Sequence, residues 1–301
     1  MCSQTVETNN KFYTRCIHFF NANRNVELSV VQSGHQVTEP DYQYGPMIRD
    51  HYLVHFIKSG KGKLYLHKMV YEIDAGNCFL IYPNQIAYYQ ADTNEPWEYY
   101  WLGICGITAE NILQTIGFNY NRMVIPFKSD KICKTINKIT EEGFKLETDE
   151  IAIYLQLGGL LRRVLYYLME DNRANNEANY MKPTEHTGEV MGNGKYADQY
   201  VNIVANIIQN SYSENIRVEK IAEKLSINRS YLSATFKKNT GVAIKEFLTN
   251  YRIEQSCVML RDKYKPIAEI SKAVGFDDPL YFSRIFKKQL NCSPSEYRNR
   301  I

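Results

Sequence analysis

The last third of the chain contains an internal repeat, and this repeat constrains the fold more than any other feature. Residues 218–227 match residues 267–276, with their apolar positions in register at an offset of 49. After one inserted residue the match resumes at an offset of 50, where residues 231–238 correspond to residues 281–288. Each copy combines a short amphipathic helix, a tight turn and a second helix. The repeat therefore predicts an all-α domain with two helix-turn-helix units.

The second helix of each copy has an apolar face and an opposite, mostly polar face. Leu232 with Phe236, and Phe282 with Phe286, recur at i and i+4, so we predict that these four side chains face the core. In a DNA major groove, small residues allow close approach, Arg reads guanine edges and Lys reaches phosphates. The predicted DNA contacts on the opposite face are Arg229, Ser230, Ser233, Ala234 and Lys237 in the first copy and Pro279, Leu280, Ser283, Arg284 and Lys287 in the second.

Two matched copies favour DNA binding over the alternative, which is that these faces are the solvated surfaces of an ordinary helical bundle. One cationic helix face is common in bundles, whereas here both second helices carry the same Phe-Lys-Lys sequence. A long helix over about residues 244–260 is predicted to join the copies. If it is rigid, it sets them about 34 Å apart, one turn of DNA, so that both enter successive major grooves.

The distribution of charge also separates this region from the rest of the chain. The net charge is +3 overall, but residues 196–301 carry +6 and the remainder −3, which suggests a polyanionic partner for the basic region only. Neither a signal sequence nor an apolar run of about 20 residues is found, so no membrane partner is expected. Seven scattered cysteines without a CxxC pair fit reduced thiols in the cytoplasm.

The first hundred residues have the pattern of an all-β domain. Between residues 27 and 106, β-branched and aromatic runs alternate with Gly, Pro and Asn turns at intervals of roughly 8–12 residues. The clearest predicted strands cover residues 52–57, 63–66, 78–82 and 97–104. This spacing favours a β-barrel or a β-sandwich.

The hydrophobic period becomes helical after Pro126, and we predict helices over residues 130–145 and 149–170. The apolar stripe of residues 151–168 is larger than one small barrel needs to cover, so we expect this helix to form a homodimer. The Asn- and Gly-rich segment that follows is typical of a flexible linker. The chain is therefore predicted to be a two-domain α+β protein, with residues 1–171 and 196–301 as domains and residues 172–195 as the linker.

Residues 266–270, 275–288 and 293–298 resemble the signature of the AraC/XylS family of transcription regulators. The resemblance implies a double helix-turn-helix that binds direct repeats in promoter DNA, usually as an activator, with RNA polymerase as a further partner. In such proteins the first recognition helix often carries larger polar residues at the positions of Ser230, Ser233 and Ala234. Contact with a thymine methyl group, or readout of DNA shape, is therefore expected to matter more in the first copy.

The front half resembles the cupin-like effector domain of the sugar-responsive members of that family. The matching stretches are residues 45–53, 60–62, 74–76, 83–84 and 97–101. The resemblance implies a cupin-like β-barrel, with dimerisation helices, that binds a small-molecule effector.

The resemblance also indicates which residues contact that effector. By position, Tyr89, Tyr99 and Trp101 fall where sugar contacts are expected, Arg49 is the nearest cation, and His51 faces the ligand. Strand alternation places Trp97, Tyr99 and Trp101 on one face of a strand. Such a face is equally typical of a barrel core, and the sequence does not separate the two interpretations.

Metal and catalytic chemistry have little support in the sequence. His51 and His55 lie four residues apart on one predicted strand, but the His-x-His pair, carboxylate and third His of a metal-binding cupin are missing. We therefore expect hydrogen-bonded barrel histidines and no metal. Glycine-rich phosphate loops, a nucleophile elbow and paired carboxylates with a matching His are not found, so neither an enzyme nor a cofactor is expected.

These features together predict a ligand-responsive transcription activator of a carbohydrate uptake or utilisation operon, with a sugar as effector. The alternative is a regulator of stress or virulence genes whose front domain senses a non-sugar ligand or a protein. The ligand is expected to act by shifting the population between arrangements of the two domains.

Overall fold

The computed structural model describes residues 2–8, 12–18, 26–66, 69–145, 150–173, 184–185, 197–260, 262–290 and 292–299. The chain divides into two compact units, one made chiefly of residues up to Thr184 and the other chiefly of residues from Glu185 onward. Most of the predicted linker, residues 174–183 and 186–195, lies outside the described residues.

The N-terminal unit is built mainly from strands. Their inward positions carry apolar or aromatic residues and their outward positions polar ones, as in the pair Leu64 and Leu66, both buried, against Lys63, exposed. The strands are β1 (Cys2–Thr8), β2 (Phe12–His18), β3 (Ser29–Val37), β4 (Gln43–Ile48), β5 (Tyr52–Ser59), β6 (Lys61–Leu66), β7 (Met69–Asp74), β8 (Asn77–Ile81), β9 (Ile86–Ala91), β10 (Glu98–Cys105), β11 (Val124–Pro126) and β12 (Thr184–Glu185).

Hydrogen bonds arrange the described strands into two sheets, ordered β1-β2-β3-β10-β5-β8-β11 and β12-β7-β6-β9-β4. In the larger sheet β10 is antiparallel to both neighbours and places Trp101 opposite Gly34 on β3 and His55 on β5. The inner faces of the two sheets meet where the His55 ring lies 5.1 Å from the ring of Tyr89 on β9. The predicted β-rich domain is confirmed. β1 and β2 were not predicted, because the predicted strand pattern begins at residue 27.

Helices α1 (Ala109–Ile116), α2 (Asp130–Lys145) and α3 (Glu150–Arg173) complete this unit. α2 and α3 pack on the outer face of the larger sheet, where the Ser33 and Thr140 hydroxyl groups lie 2.9 Å apart. α2 has the predicted bounds, whereas α3 continues to Arg173, two residues into the predicted linker. α1 was not predicted, because the change to a helical period was placed after Pro126, although Leu113 and Ile116 already form its buried face.

From Ala197 onward the described residues of the C-terminal unit form helices joined by turns, as predicted. Its helices are α4 (Ala197–Ser211), α5 (Val218–Lys224), α6 (Arg229–Thr240), α7 (Ile244–Met259), α8 (Ile267–Ala273), α9 (Pro279–Leu290) and α10 (Pro294–Asn299). The bounds of α5 and α8 differ by 49 residues and those of α6 and α9 by 50. The inserted residue therefore lies in the turn of the second helix-turn-helix. In the described residues we find no helix with the length and apolarity to cross a membrane.

Candidate functional site

The second helices of the two helix-turn-helix units, α6 and α9, bury the faces that the sequence predicted. All four predicted core side chains are fully buried. Phe236 packs edge-to-face on Phe247 of α7, with ring centroids 5.4 Å apart, and Phe286 packs in the same way on Tyr297 of α10 at 5.3 Å. This aromatic packing fixes the rotation of each helix about its own axis, and so it also fixes the direction in which the opposite face points.

The opposite faces of α6 and α9 are open to solvent. Eight of the ten residues predicted to contact DNA are exposed, and the other two, Ser233 and Ser283, are half-buried. Leu280, at the start of α9, is 77% exposed, so its apolar side chain is available for contact with a thymine methyl group. The hydroxyl of Ser283 donates to the carbonyl oxygen of Pro279 at 2.9 Å, which keeps this short side chain on the helix surface. The structure thus brings each predicted set of five together on one exposed helix face.

Arg284 lies above an aromatic ring on the exposed surface of α9. Its guanidinium carbon is 5.8 Å from the ring centroid of Tyr281, which is one helical turn earlier. Stacking on a ring restricts a guanidinium without using its hydrogen-bond donors, so all five donors remain available to base edges. Tyr281 was not among the predicted site residues, although its i, i+3 spacing from Arg284 was visible in the sequence.

Arg229, the first residue of α6, is engaged by a carboxylate. Its Nε lies 3.0 Å from Oε1 of Glu219 in the first turn of α5, and both side chains are about half exposed. An exposed pair of this kind adds little to stability and exchanges readily with other anions. The equivalent residues of the second helix-turn-helix are Ala268 and Pro279, which cannot form such a pair. Arg229 was predicted to contact DNA, but its ion pair with Glu219 was not predicted.

In the N-terminal unit, the predicted ligand-contacting aromatic residues lie on the inner face of the sheets. Tyr99 and Trp101 project from β10 with ring centroids 5.6 Å apart, and Tyr89 projects from β9 with its ring 6.1 Å from that of Tyr99. All three are buried. Gly34, opposite Trp101, leaves the space that the indole ring fills, since a Cβ there would overlap the ring. These rings therefore line the interior and also form part of its core.

Polar side chains connect this aromatic cluster to the predicted cation. The Tyr99 hydroxyl donates to Oε1 of Gln36 at 2.6 Å. The Arg49 guanidinium donates to the hydroxyl of Tyr44, whose ring stacks on Tyr89 with centroids 5.2 Å apart. Burial raises the pKa of Tyr99, so its hydroxyl stays neutral. Arg49, Tyr89 and Tyr99 were predicted to contact the ligand, whereas Gln36 and Tyr44 were not. Gln36 accepts from Tyr99, and Tyr44 links Arg49 to Tyr89.

Two buried polar atoms in the same cluster lack a hydrogen-bond partner among the described residues. They are Nδ1 of His55 and the indole Nε1 of Trp97. Both rings lie against Phe79, at 4.5 Å and 6.3 Å, and both contact Tyr89 and Tyr99. Burial, with a smaller effect from the charge of Arg49, lowers the pKa of His55 to about 3, so this imidazole is neutral. The prediction of hydrogen-bonded barrel histidines is wrong for Nδ1 of His55.

His51 lies at the end of the same face and makes hydrogen bonds through both ring nitrogens. Its Nε2 is 2.7 Å from the side-chain amide nitrogen of Gln32, and its Nδ1 is 2.9 Å from Oδ1 of Asp50. Because the amide nitrogen of Gln32 donates, Nε2 of His51 accepts that hydrogen bond. The ring proton is then on Nδ1, which donates a hydrogen bond to Oδ1 of Asp50. Across the residues that the structure describes, no three His, Cys, Asp or Glu side chains are grouped as a metal site would require.

Two family models match the chain, one over each unit. The model described as an AraC-like ligand binding domain covers residues 29–178, and the model described as a helix-turn-helix domain covers residues 221–300. The first range contains the whole aromatic cluster, and the second contains both α6 and α9.

Curated relatives match the chain over nearly its full length. The Msm operon regulatory protein of Streptococcus mutans is 35% identical over 92% of this chain and 94% of its own length. The raffinose operon transcriptional regulatory protein RafR of Pediococcus pentosaceus is 27% identical over 93% and 96%, respectively. The lactose operon transcription activator of Staphylococcus xylosus is 25% identical over 92% and 94%. The similarity therefore extends over both units.

Proposed function

The chain belongs to the AraC family of transcription regulators, and from that premise we propose that it activates an operon for carbohydrate uptake or use when a sugar binds its N-terminal unit. It is a DNA-binding regulator and not an enzyme. We place its action in the cytoplasm, with direct repeats in promoter DNA and RNA polymerase as partners. The names of the three relatives, which regulate Msm, raffinose and lactose operons, support a carbohydrate signal.

The observation that carries the sensing part of the proposal is the inner aromatic face of the N-terminal unit. Trp101 offers an apolar ring on which the C–H face of a sugar can stack, and Tyr99 offers a neutral hydroxyl that can both donate and accept. The unsatisfied Nδ1 of His55 and indole N–H of Trp97 suit hydroxyl groups, which supply both acceptors and donors. Because His55, Tyr89 and Tyr99 are neutral, these side chains offer hydrogen bonds rather than charges, which suits the hydroxyl groups of a sugar.

A thermal-shift screen of the full-length protein tests this proposal. The panel holds raffinose, lactose and their monosaccharide units, with organic acids of similar size for comparison. A ligand at 100 times its Kd is expected to add about 2.7 kcal/mol of stability. Trp101→Ala is expected to abolish the shift.

Tyr100→Phe is the matched control, because Tyr100 lies on the opposite face of β10, where its ring stacks on His35 at 4.1 Å. This variant is expected to keep the full response to the sugar. A panel in which only organic acids stabilise the protein, or a saccharide shift that Trp101→Ala retains, would contradict the proposed ligand site.

We also propose that the protein is a homodimer formed through α3. Leu155 and Tyr166 on this helix are 66% and 51% exposed, whereas the face that carries Leu161 and Leu168 is buried in its own unit. Gly159 lies one turn after Leu155, and a Cβ there would have no neighbour within 4 Å. An exposed apolar residue followed one turn later by an exposed glycine allows a second helix to approach closely. This arrangement supports α3 as the helix through which the two copies contact each other.

A further inference from the structure

The turns of the two helix-turn-helix units make the same backbone hydrogen bond but have different residues at their left-handed position. Ser226 has φ of 53° and the equivalent Gly275 has φ of 91°. In each turn the N–H of the next residue donates to a carbonyl oxygen five residues earlier, at 3.0 Å and 2.9 Å, respectively. Ser226 lies within the left-handed region that an L residue can adopt, whereas the φ of Gly275 lies beyond it and favours glycine. The neighbours of Gly275 add a second requirement for glycine.

The guanidinium of Arg252 and the backbone carbonyl oxygen of Ser213, which would lie 2.9 Å from a Cβ, both exclude a side chain at Gly275. A Cβ on Gly275 would lie 2.7 Å from Nη2 and 2.8 Å from Cζ of Arg252. Both distances are well inside the contact distance of about 3.5 Å. The same guanidinium lies 5.7 Å from the ring centroid of Phe276, the next residue of the turn. Gly275 thus leaves the space that Arg252 occupies.

Arg252 also holds the loop that leads into the first helix-turn-helix. Its Nε donates to the carbonyl oxygen of Tyr212 at 2.7 Å, and its Nη2 donates to that of Glu214 at 2.8 Å. Both carbonyls belong to the loop between α4 and α5, and Arg252 itself lies in the middle of α7, the helix that joins the two units. One side chain therefore connects the α4–α5 loop, the joining helix and the α8–α9 turn.

This connection continues into the buried face of α9. The ring of Phe276 packs on that of Phe282, a core residue of α9, with centroids 5.3 Å apart. We infer that Arg252 and Gly275 fix the orientation of α9 relative to α6 and thereby set the half-site spacing that the protein accepts. The inference rests on both helix-turn-helix units binding DNA together. Arg252 is a positioning residue, since it acts through α9.

The spacing of the half-sites is the quantity to measure. One base pair moves a half-site by about 3.4 Å along the DNA and about 34° around it, which a rigid pair of helices cannot follow. A site is first selected from random DNA with the full-length wild-type protein. Kd values are then measured at one salt concentration on that site and on versions with the half-sites moved by −1, +1 and +2 base pairs.

The wild-type protein is expected to lose at least about tenfold in affinity for each altered spacing. Arg252→Gln and Gly275→Ser are expected to lose less than about threefold in affinity for each altered spacing. The first removes the connecting group, and the second displaces it together with the α4–α5 loop at Ser213. Two independent variants keep the test valid if one of them fails to fold.

Matched controls come from the same domain. Ser226→Gly changes the equivalent turn of the first unit, and Arg298→Gln removes a guanidinium that donates to the carbonyls of Leu260 and Lys265. Of these two carbonyls, that of Leu260 ends α7 and that of Lys265 lies in the loop before α8. Both controls are expected to keep the wild-type spacing profile, because neither changes the contact of Arg252 with the α8–α9 turn. If Arg252→Gln weakens binding at every spacing by the same factor, Arg252 is merely structural and the inference is overturned.

The remaining outcomes separate this inference from the proposed function. A wild-type protein that selects no DNA contradicts DNA binding itself. A wild-type protein that binds its selected site but tolerates every spacing equally contradicts only the fixed orientation of α9.

Discussion

Asn228 and Asp278 make the same hydrogen bond at the starts of α6 and α9. The Oδ1 of Asn228 accepts from the backbone N–H of Ser230 at 2.7 Å, and the Oδ1 of Asp278 accepts from that of Leu280 at 2.8 Å. Each side chain thus satisfies one of the N–H groups that a helix leaves free at its first turn. The donors Ser230 and Leu280 are themselves predicted DNA contacts, so these caps fix the backbone from which those contacts project.

Removing either cap is expected to destabilise the C-terminal unit. Asn228→Ala and Asp278→Ala should each lower the free energy of unfolding by about 1 kcal/mol, the usual loss for a helix N-cap. Urea unfolding followed by far-ultraviolet circular dichroism measures the change. The exchanges Asn228→Asp and Asp278→Asn keep a capping oxygen and are the controls. Equal stability of the alanine and exchange variants would mean that the caps do not form in solution.

Arg284 and Lys237 are expected to contribute to DNA binding in different ways. Arg284→Ala should cost roughly 1–3 kcal/mol on the specific site and relax the preference at one base pair, because Arg reads base edges. Lys237→Ala should weaken all sequences alike and reduce the salt dependence by about one phosphate contact. Titrations of specific and random DNA at several salt concentrations measure both. A uniform loss for Arg284→Ala would show that it contacts only phosphate.

His55 makes the stability of the N-terminal unit depend on pH. Its pKa is about 3 in the folded chain, against about 6.5 for an exposed histidine, so the unfolded chain binds the extra proton between these values. Above about pH 6.5 the neutral His55 does not lower the free energy of unfolding. Between pH 6.5 and pH 3 acidification lowers that free energy by about 1.4 kcal/mol per pH unit, because the unfolded chain binds the proton and the folded chain does not.

His55→Phe removes the titrating group and keeps a ring against Phe79. This variant is expected to show a smaller loss of unfolding free energy than the wild type between pH 6.5 and pH 4.5. Urea unfolding at several pH values measures the two slopes. If the slopes are the same, His55 is protonated or solvated in the folded protein. The proposal that it offers a neutral, unsatisfied Nδ1 to a ligand is then wrong.

The homodimer is tested by placing a charge on the exposed face of α3. Leu155→Glu is expected to convert the dimer to a monomer at micromolar concentration, because two carboxylates would be buried in the contact. Light scattering coupled to size-exclusion chromatography measures the mass. Lys134→Glu, at an exposed position of α2, is the control and should leave the dimer intact. A monomeric wild-type protein, with and without sugar, would contradict the proposed dimer.

Local patterns in the sequence were sufficient to predict the repeated helices and α2. The offsets of 49 and 50 predicted the matching of α5 with α8 and of α6 with α9, and α2 has its predicted bounds. Hydrophobic period, caps and turns act over a few residues, so they can be read directly from the chain. The same alternation placed Trp97, Tyr99 and Trp101 on one face of a strand. Neither α1 nor the hairpin of β1 and β2 was predicted from the sequence.

Contacts between distant residues were decided only by the tertiary structure. The pairing of Arg229 with Glu219 and the contact of Arg252 with Gly275 join residues on different helices, and no local period records them. The unsatisfied Nδ1 of His55 likewise depends on which rings the second sheet brings against it. Hydrophobic patterning shows which face of an element is buried, but packing chooses its neighbours. The sequence by itself therefore determined the double helix-turn-helix, whereas only packing determined which side chains hold its two halves together.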